Sequence, residues 1–241
     1  MSKQKYIRAK ALVVGIDHYE QANQLDNTVN DAKAIADVLR QLKFYVCVFY
    51  DIDIDKWNEV FSEFCSDLDK YDACVVYFTG HGVEIDGKNY LLCKNTPAGN
   101  KGGTVRNSLD LQASLDAIKT KNCNTNIIII DACRNNPFPE DRAVYAASTL
   151  APIFAPKGTL IAYSTSPGQK ADDKGMGDHS YYTGALLQHI TEIELPIESF
   201  FKEVITMVYN LSNEQQTSWE HTSLIGNFSF NSGRHQFLRK S

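Results

Sequence analysis

No apolar stretch in this chain approaches the roughly 18 residues that a membrane-spanning helix needs, so no membrane span is expected. The run "ALVVGI" near the start is too short for a secretory h-region, and no small-residue cleavage site follows it. None of the six cysteines forms a C-x-x-C pair, and several sit inside apolar runs. Without a secretory signal they read as reduced thiols, and the expected location is cytoplasmic. A positive charge excess is missing too: 24 Lys and Arg face 29 Asp and Glu, for a net charge of −5. That argues against nucleic acid or an anionic membrane as partner. No Cys/His spacing matches a structural zinc site, and "HGVE" is not the H-E-x-x-H pattern. "DIDID" (Asp51 to Asp55) lacks the glycine and distal glutamate of a calcium loop, and Asp55 is expected to cap the helix around Trp57. No metal or other cofactor is therefore called for. Low-complexity segments, repeats and linkers are absent as well, so residues 1–241 are expected to form a single domain.

What is present is a set of short apolar runs rich in Val, Ile, Phe and Tyr: "KALVVGI", "FYVCVFY", "ACVVYFT", "NIIIID" and "GTLIAYST". They lack polar alternation, as strands buried on both faces do. Between them lie helical patterns. Asn27 to Leu42 and Trp57 to Leu68 carry apolar residues at helical spacing, and Leu109 to Ile118, Tyr181 to Ile190 and Ile197 to Leu211 are further candidates. "SLIGNFSF" reads as a final strand. Strands alternating with helices predict an α/β fold with a mostly parallel central β-sheet and helices on both faces. Active sites in such sheets form at the carboxyl ends of the strands.

Two of those ends carry chemistry. "VVYFTGHG" is expected to end its strand near Thr79 and deliver His81 between Gly80 and Gly82. "NIIIIDACR" is expected to end near Asp131 and deliver Cys133, 52 residues further along. A free thiol is only a few per cent thiolate at pH 7. A neighbouring imidazole can take its proton and later return one to a leaving amine. Flanking glycines let a peptide backbone approach, and the amides of Gly82 and Cys133 are candidate donors to an oxyanion. Taken singly, a cysteine ending a strand is ordinary core packing and a histidine between glycines is a turn residue. As a pair at equivalent strand ends they point to nucleophilic catalysis. The caspase signature Q-A-C-[RQG]-G, with a histidine about 50 residues upstream, is matched in part by Asp131-Ala132-Cys133-Arg134-Asn135.

On these motifs, together with "ALVVGIDHY", "NTVNDAKAIADVL", "AYSTSPGQ" and "YYTGALLQHI", the chain resembles the caspase-like cysteine peptidases, and among them the paracaspases, metacaspases and bacterial caspase-like proteins. The resemblance implies a caspase-haemoglobinase fold with His81 and Cys133 as the catalytic dyad. It also implies a preference. Caspases that cut after aspartate carry glutamine where this chain has Asp131. Metacaspases and paracaspases carry Asp there and cut after Arg or Lys at P1, the residue before the scissile bond. Their second pocket acid matches Asp31, in "NTVNDAK". Metacaspases often have cysteine where this chain has Asn27 and serine where it has Thr79, a pocket-wall position; both changes leave the pocket acidic. Asp172 and Asp173, in the later loop, are further candidate acids. Two carboxylates in a partly desolvated pocket require a cation, and a guanidinium meets them with forked hydrogen bonds. For Asp31 the plainer reading is a first-turn acid favouring a helix N-terminus.

The expected partners are proteins or peptides with Arg or Lys at P1, and the chain is expected to be a monomer or homodimer. Calcium dependence varies within the resembled families, and no motif here calls for it. Regulated proteolysis in cell death or defence is the role implied by resemblance. A catalytically silent scaffold is the alternative of a different class. An arginine-directed peptidase could cut itself at Arg134, Arg142 or Lys157, in or beside the proline-containing stretch after the nucleophile.

Overall fold

The structure, a computed structural model, describes residues 7–133, 151, 153, 155–166 and 175–233, with Cys133 and Met176 described by their backbone. Asp172, Asp173, Arg134 and Arg142 lie outside the described residues. The apolar runs form the strands β1 (Ala9–Gly15), β2 (Tyr45–Tyr50), β3 (Ala73–Ile85), β6 (Thr125–Cys133) and β7 (Thr159–Tyr163). β4 (Lys88–Leu92), β5 (Ser108–Asp110), the two-residue β8 (Gly175–Met176) and β9 (His179–Ser180), and β10 (Trp219–Thr222) complete the set. Across the main sheet the order is β10-β7-β6-β3-β1-β2, with β10 antiparallel to β7 and every other neighbour on this path parallel. β3 outruns its neighbours and pairs antiparallel with β4, which pairs with β5.

The helices are α1 (Thr28–Gln41), α2 (Ile54–Ser66), α3 (Lys101–Arg106), α4 (Leu111–Lys119), α5 (Tyr181–His189) and α6 (Ile197–Leu211). They divide between the two faces of the sheet, so the strands are buried from both sides, as their unalternating composition requires. One apolar layer joins Trp57, Val60 and Phe64 of α2 and Leu111, Leu115 and Ile118 of α4 to one face. The other joins Ile35 and Leu39 of α1, Leu186 of α5 and Phe200, Phe201 and Val204 of α6 to the opposite face. No helix among the described residues is long and apolar enough to cross a membrane.

Four expectations need correction. β3 does not stop at Thr79. It runs on through the Gly-His-Gly segment to Ile85, and the chain turns at Asp86 (φ 53°) and Gly87 (φ 76°). Two positive φ values between paired strands are what an Asp-Gly hairpin provides. The cap of α2 is Asp53, whose side chain accepts from the Lys56 amide at 2.8 Å, while Asp55 lies inside the first turn. "SLIGNFSF" is not a strand. Its Phe228 and Phe230 instead plug the layer under α6, and the strand at that edge is "WEHT". The loop expected after β7 contains the β8–β9 hairpin, turning at Gly177 (φ 63°).

Candidate active site

β3 and β6 run in register, pairing Thr79 with Asp131, Gly80 with Ala132 and His81 with Cys133. The two motif residues 52 positions apart are thus direct neighbours across adjacent strands. β3 changes character at this point. Cys74, Val76 and Phe78 face the α2 layer, and Val75 and Tyr77 face the α1 layer. Beyond Gly80 the parity reverses, because odd-numbered Val83 and Ile85 return to the α2 layer. Gly80 makes that break sterically feasible, since a Cβ there would sit 2.5 Å from the Tyr19 hydroxyl.

That hydroxyl holds His81 in place. The His81 amide donates to Tyr19 Oη at 2.8 Å, and the two rings lie 4.7 Å apart. Imidazole Nε2 lies 2.8 Å from the backbone carbonyl of Asn23. A carbonyl only accepts, so Nε2 carries the hydrogen and Nδ1 presents its lone pair. Nδ1 is buried and has no partner among the described residues. Burial pushes the imidazole down to about 4, opposed only by the Asn23 contact, so the ring is neutral at pH 7. Tyr19 and Asn23 both belong to the loop between β1 and α1, which makes that loop the back wall of the histidine.

The same loop sets the start of α1. Asp17 accepts from the Thr28 amide (2.9 Å), the Thr28 hydroxyl (2.5 Å) and the Val29 amide (3.2 Å). With Asp17 covering the free amides, Asn27 makes no side-chain cap and Asp31 is released from that duty. Gly15 brings β1 close beneath: a Cβ there would meet Ala32 Cβ and the Thr28 carbonyl at 2.7 Å. Asp31, 1% exposed, points across to the β9–α5 junction, where Oδ1 is 2.7 Å from His179 Nδ1 and Oδ2 accepts from the Ser180 amide at 3.2 Å. Asp131, at the end of β6, accepts on Oδ2 from Ser180 Oγ (2.6 Å) and Thr183 Oγ1 (2.9 Å). Burial raises Asp31 to about 7, and the charge of neighbouring Asp131 adds to the rise, while the bonds from His179 and Ser180 pull against it. Burial likewise raises Asp131, opposed by the hydroxyls of Ser180 and Thr183.

The family profile described as "Caspase domain" (Peptidase C14) matches residues 8–229. The chain belongs to that family. Its caspase domain is 25% identical over 161 residues to human mucosa-associated lymphoid tissue lymphoma translocation protein 1, covering 67% of this chain and 19% of that protein. The mouse homologue matches equally, at 25% over 161 residues and 18% of its length. This chain therefore spans about a fifth of the length of the curated relatives it matches. Among solved structures, caspase-1 from Spodoptera frugiperda superposes with a TM-score of 0.68 at 18% identity, over 93% of this chain and 90% of that one. The Drosophila initiator caspase Dronc gives 0.68 at 17% identity, over 97% and 87%. The profile match places the chain in the caspase-domain family, and the structural likeness shows the caspase fold.

Within this caspase domain, His81 and Cys133 are adjacent in register, and Gly82 follows in β3 opposite Leu91 of β4. Asp31 and Asp131 meet around one two-residue segment, His179–Ser180. Thr79 is buried in β3, in register with Gly15 of β1 on one side and Asp131 of β6 on the other. The plainer reading of Asp31, a helix-end acid, does not describe its bonds, which go to another element. His18, near the end of β1, faces solvent and meets Asp51 at 3.1 Å. Sequence reasoning assigned no role to Tyr19, Asn23, His179, Ser180 or Thr183. For Ser180 a signal existed: a serine directly before the apolar "YYTGALL" run is an N-cap, and its side chain does accept from the Thr183 amide at 2.9 Å.

Proposed function

We propose that this caspase domain is a cysteine endopeptidase of the paracaspase or metacaspase type, cutting after Arg and less readily after Lys. The observation that carries the reading is the register of His81 beside Cys133, combined with an imidazole whose Nε2–H is committed and whose Nδ1 has no partner among the described residues. Nδ1 accepts the Cys133 thiol proton as the sulfur attacks the scissile carbonyl, forming a C–S bond and an oxyanion. The amides of Gly82 and Cys133 are the donors assigned to that oxyanion. Collapse of the intermediate breaks the C–N bond, and the imidazolium gives its proton to the leaving amine. Water, deprotonated by the same nitrogen, then opens the thioester.

For P1 the support is the buried pair Asp31 and Asp131, both raised by burial and short of positive charge. A guanidinium supplies that charge and five N–H donors. Losing one member of such a buried pair costs about 2–5 kcal/mol, which predicts roughly thirtyfold or greater discrimination against neutral P1 residues. Thr79 serves as wall. Fluorogenic peptides ending in Arg, Lys or Asp, assayed with and without calcium, test the reading, with Cys133→Ala as control. Preference for Asp would sink the acidic pocket, and full turnover by Cys133→Ala would sink the nucleophile.

A further inference from the structure

We propose that His179 is a specificity-determining residue that occupies the Asp31 carboxylate in the free protein and is displaced when a P1 guanidinium enters. This rests on the acidic-pocket reading above.

Both Asp31 oxygens already have partners, and both partners come from consecutive residues of one segment. Oδ1 faces His179 Nδ1 at 2.7 Å and Oδ2 takes the Ser180 amide at 3.2 Å. Asp131 draws its donors from the same place, Ser180 Oγ and Thr183 Oγ1. The acids are thus closed by the β9–α5 junction, and a substrate cation must replace something. The two halves of that closure differ. Ser180 is the N-cap of α5 and Thr183 is fully buried in its first turn, where its hydroxyl also meets Tyr77 Oη at 2.6 Å. Removing the Ser180 hydroxyl would take the cap from α5, and removing the Thr183 hydroxyl would strip Asp131 of a buried donor. The His179 side chain is 31% exposed, whereas that of Asp31 beneath it is 1% exposed. His179 is therefore the partner on the solvent side. It stands on a hairpin of two-residue strands, and at the hairpin tip a Cβ on Gly177 would touch nothing within 4 Å.

The exchange also has a chemical direction. His179 gives Asp31 one ring nitrogen and leaves Asp131 to hydroxyl donors. A guanidinium can serve both carboxylates at once through its fork, whereas an ammonium acts as a point charge. An Asp31 raised to about 7 is an acid that its present partners leave short of compensation. The resident imidazole thus sets a threshold that a forked cation crosses more readily than an ammonium, and a carboxylate does not cross. Apparent affinity is reduced by the fraction of molecules in the closed form.

Agmatine, which carries a guanidinium and no peptide, is a direct probe. With the wild-type protein, competitive inhibition and calorimetry should give a measurable Kd that Asp31→Asn weakens. His179→Ala should tighten it by about tenfold, the size expected when one charge-assisted hydrogen bond no longer competes, and should narrow the preference for agmatine over an alkylamine such as cadaverine. A second measurement avoids any folding defect of the variant. In 15N-labelled wild-type protein, the imidazole signals of His179 should move to solvent-exposed values as agmatine saturates. If agmatine binds in an Asp31-dependent way while His179→Ala leaves Kd unchanged or weaker, or the His179 signals stay put at saturation, the displacement is refuted and the pocket stands. If agmatine binds neither protein, or binds indifferently to Asp31→Asn, the acidic pocket fails and the displacement with it.

Discussion

His81 Nε2 lies 2.8 Å from the carbonyl oxygen of Asn23, and this one contact fixes which imidazole nitrogen can act as a base. Because the acceptor is a carbonyl, the hydrogen stays on Nε2, and Nδ1 keeps its lone pair with no partner among the described residues. The consequence for pH follows from the depressed value of about 4. The unfolded histidine titrates near 6.5, so between those values the unfolded chain binds the extra proton. Stability from this group is fully present above about 6.5 and is lost as pH falls toward 4. His81 ring carbon shifts, followed by NMR, should show no titration from pH 8 to 5. A midpoint near 6.5 would contradict the assigned environment.

Tyr19 and Gly80 should behave as a coupled pair. Tyr19→Phe keeps the ring beside the imidazole and removes the acceptor of the buried His81 amide, which costs about 1–3 kcal/mol. Gly80→Ala drives a methyl to 2.5 Å from that hydroxyl and 3.0 Å from Phe78 Cζ. Each change alone should lower stability and kcat. Together they should cost less than the sum, because the phenylalanine removes the atom that the new methyl meets. Chemical denaturation of the four-member cycle reads the coupling directly, and strict additivity would mean that the hydroxyl is not what limits residue 80.

If Asp31 lines the P1 pocket, it should set the acid limb of activity. Its folded value is raised, so the folded state binds more protons between about 4 and 7 and stability from this group is lost as pH rises through about 7. Binding runs the other way. Below about 7 the carboxyl carries a proton that a P1 guanidinium must expel, and above it the anion is ready. KM for a P1-Arg peptide should fall as pH rises from 5.5 to 8, by up to roughly tenfold per unit on the acid side. Calorimetry at pH 6.5 in buffers of different ionisation enthalpy should show proton release on binding. Proton uptake, or none, would reverse the assignment.

The parts of the fold that burial dictates were readable directly. Five apolar runs became the parallel strands, and α6 falls on Ile197–Leu211 as its periodicity predicted. Two of the misreadings, at Gly80 and at "SLIGNFSF", share a cause, namely that a tertiary requirement outranked a local pattern. "VVYFTGHG" looked like a strand followed by a turn because glycine usually marks a turn. Here Gly80 allows an extended chain to pass the Tyr19 hydroxyl, and the true turn is the Asp86–Gly87 pair, whose signal was present and passed over. "SLIGNFSF" has strand composition, yet Phe228 and Phe230 are needed under α6. At the site, what was legible is the adjacency of His81 and Cys133, because the two motifs end equivalent apolar runs that pair in register. Tyr19, Asn23 and His179 were not. Asn23 contributes a backbone carbonyl, which any residue has, and His179 becomes meaningful only once folding brings it 2.7 Å from a carboxylate 148 positions away.

The hydroxyl chain behind Asp131 offers a contrast between two conservative changes. Thr183 Oγ1 donates to Asp131 Oδ2 at 2.9 Å, and its single hydrogen is thereby used. The Tyr77 hydroxyl, 2.6 Å from the same oxygen, must then be the donor of that bond. Tyr77→Phe removes a donor to Thr183 and leaves the Ser180 and Thr183 hydroxyls on Asp131. It should lower stability by about 1 kcal/mol with little effect on P1 recognition. Thr183→Val instead strips a donor from a buried carboxylate already raised by burial and takes from the Tyr77 hydroxyl one of its acceptors. It should destabilise by about 2–3 kcal/mol, push Asp131 further up, and raise KM for P1-Arg peptides several-fold at pH 7. Thr183→Ser, which restores the hydroxyl, should return KM to the wild-type range. If the valine variant lost stability but kept KM, the Thr183 bond would matter to folding alone, and Asp131 would not be part of P1 recognition.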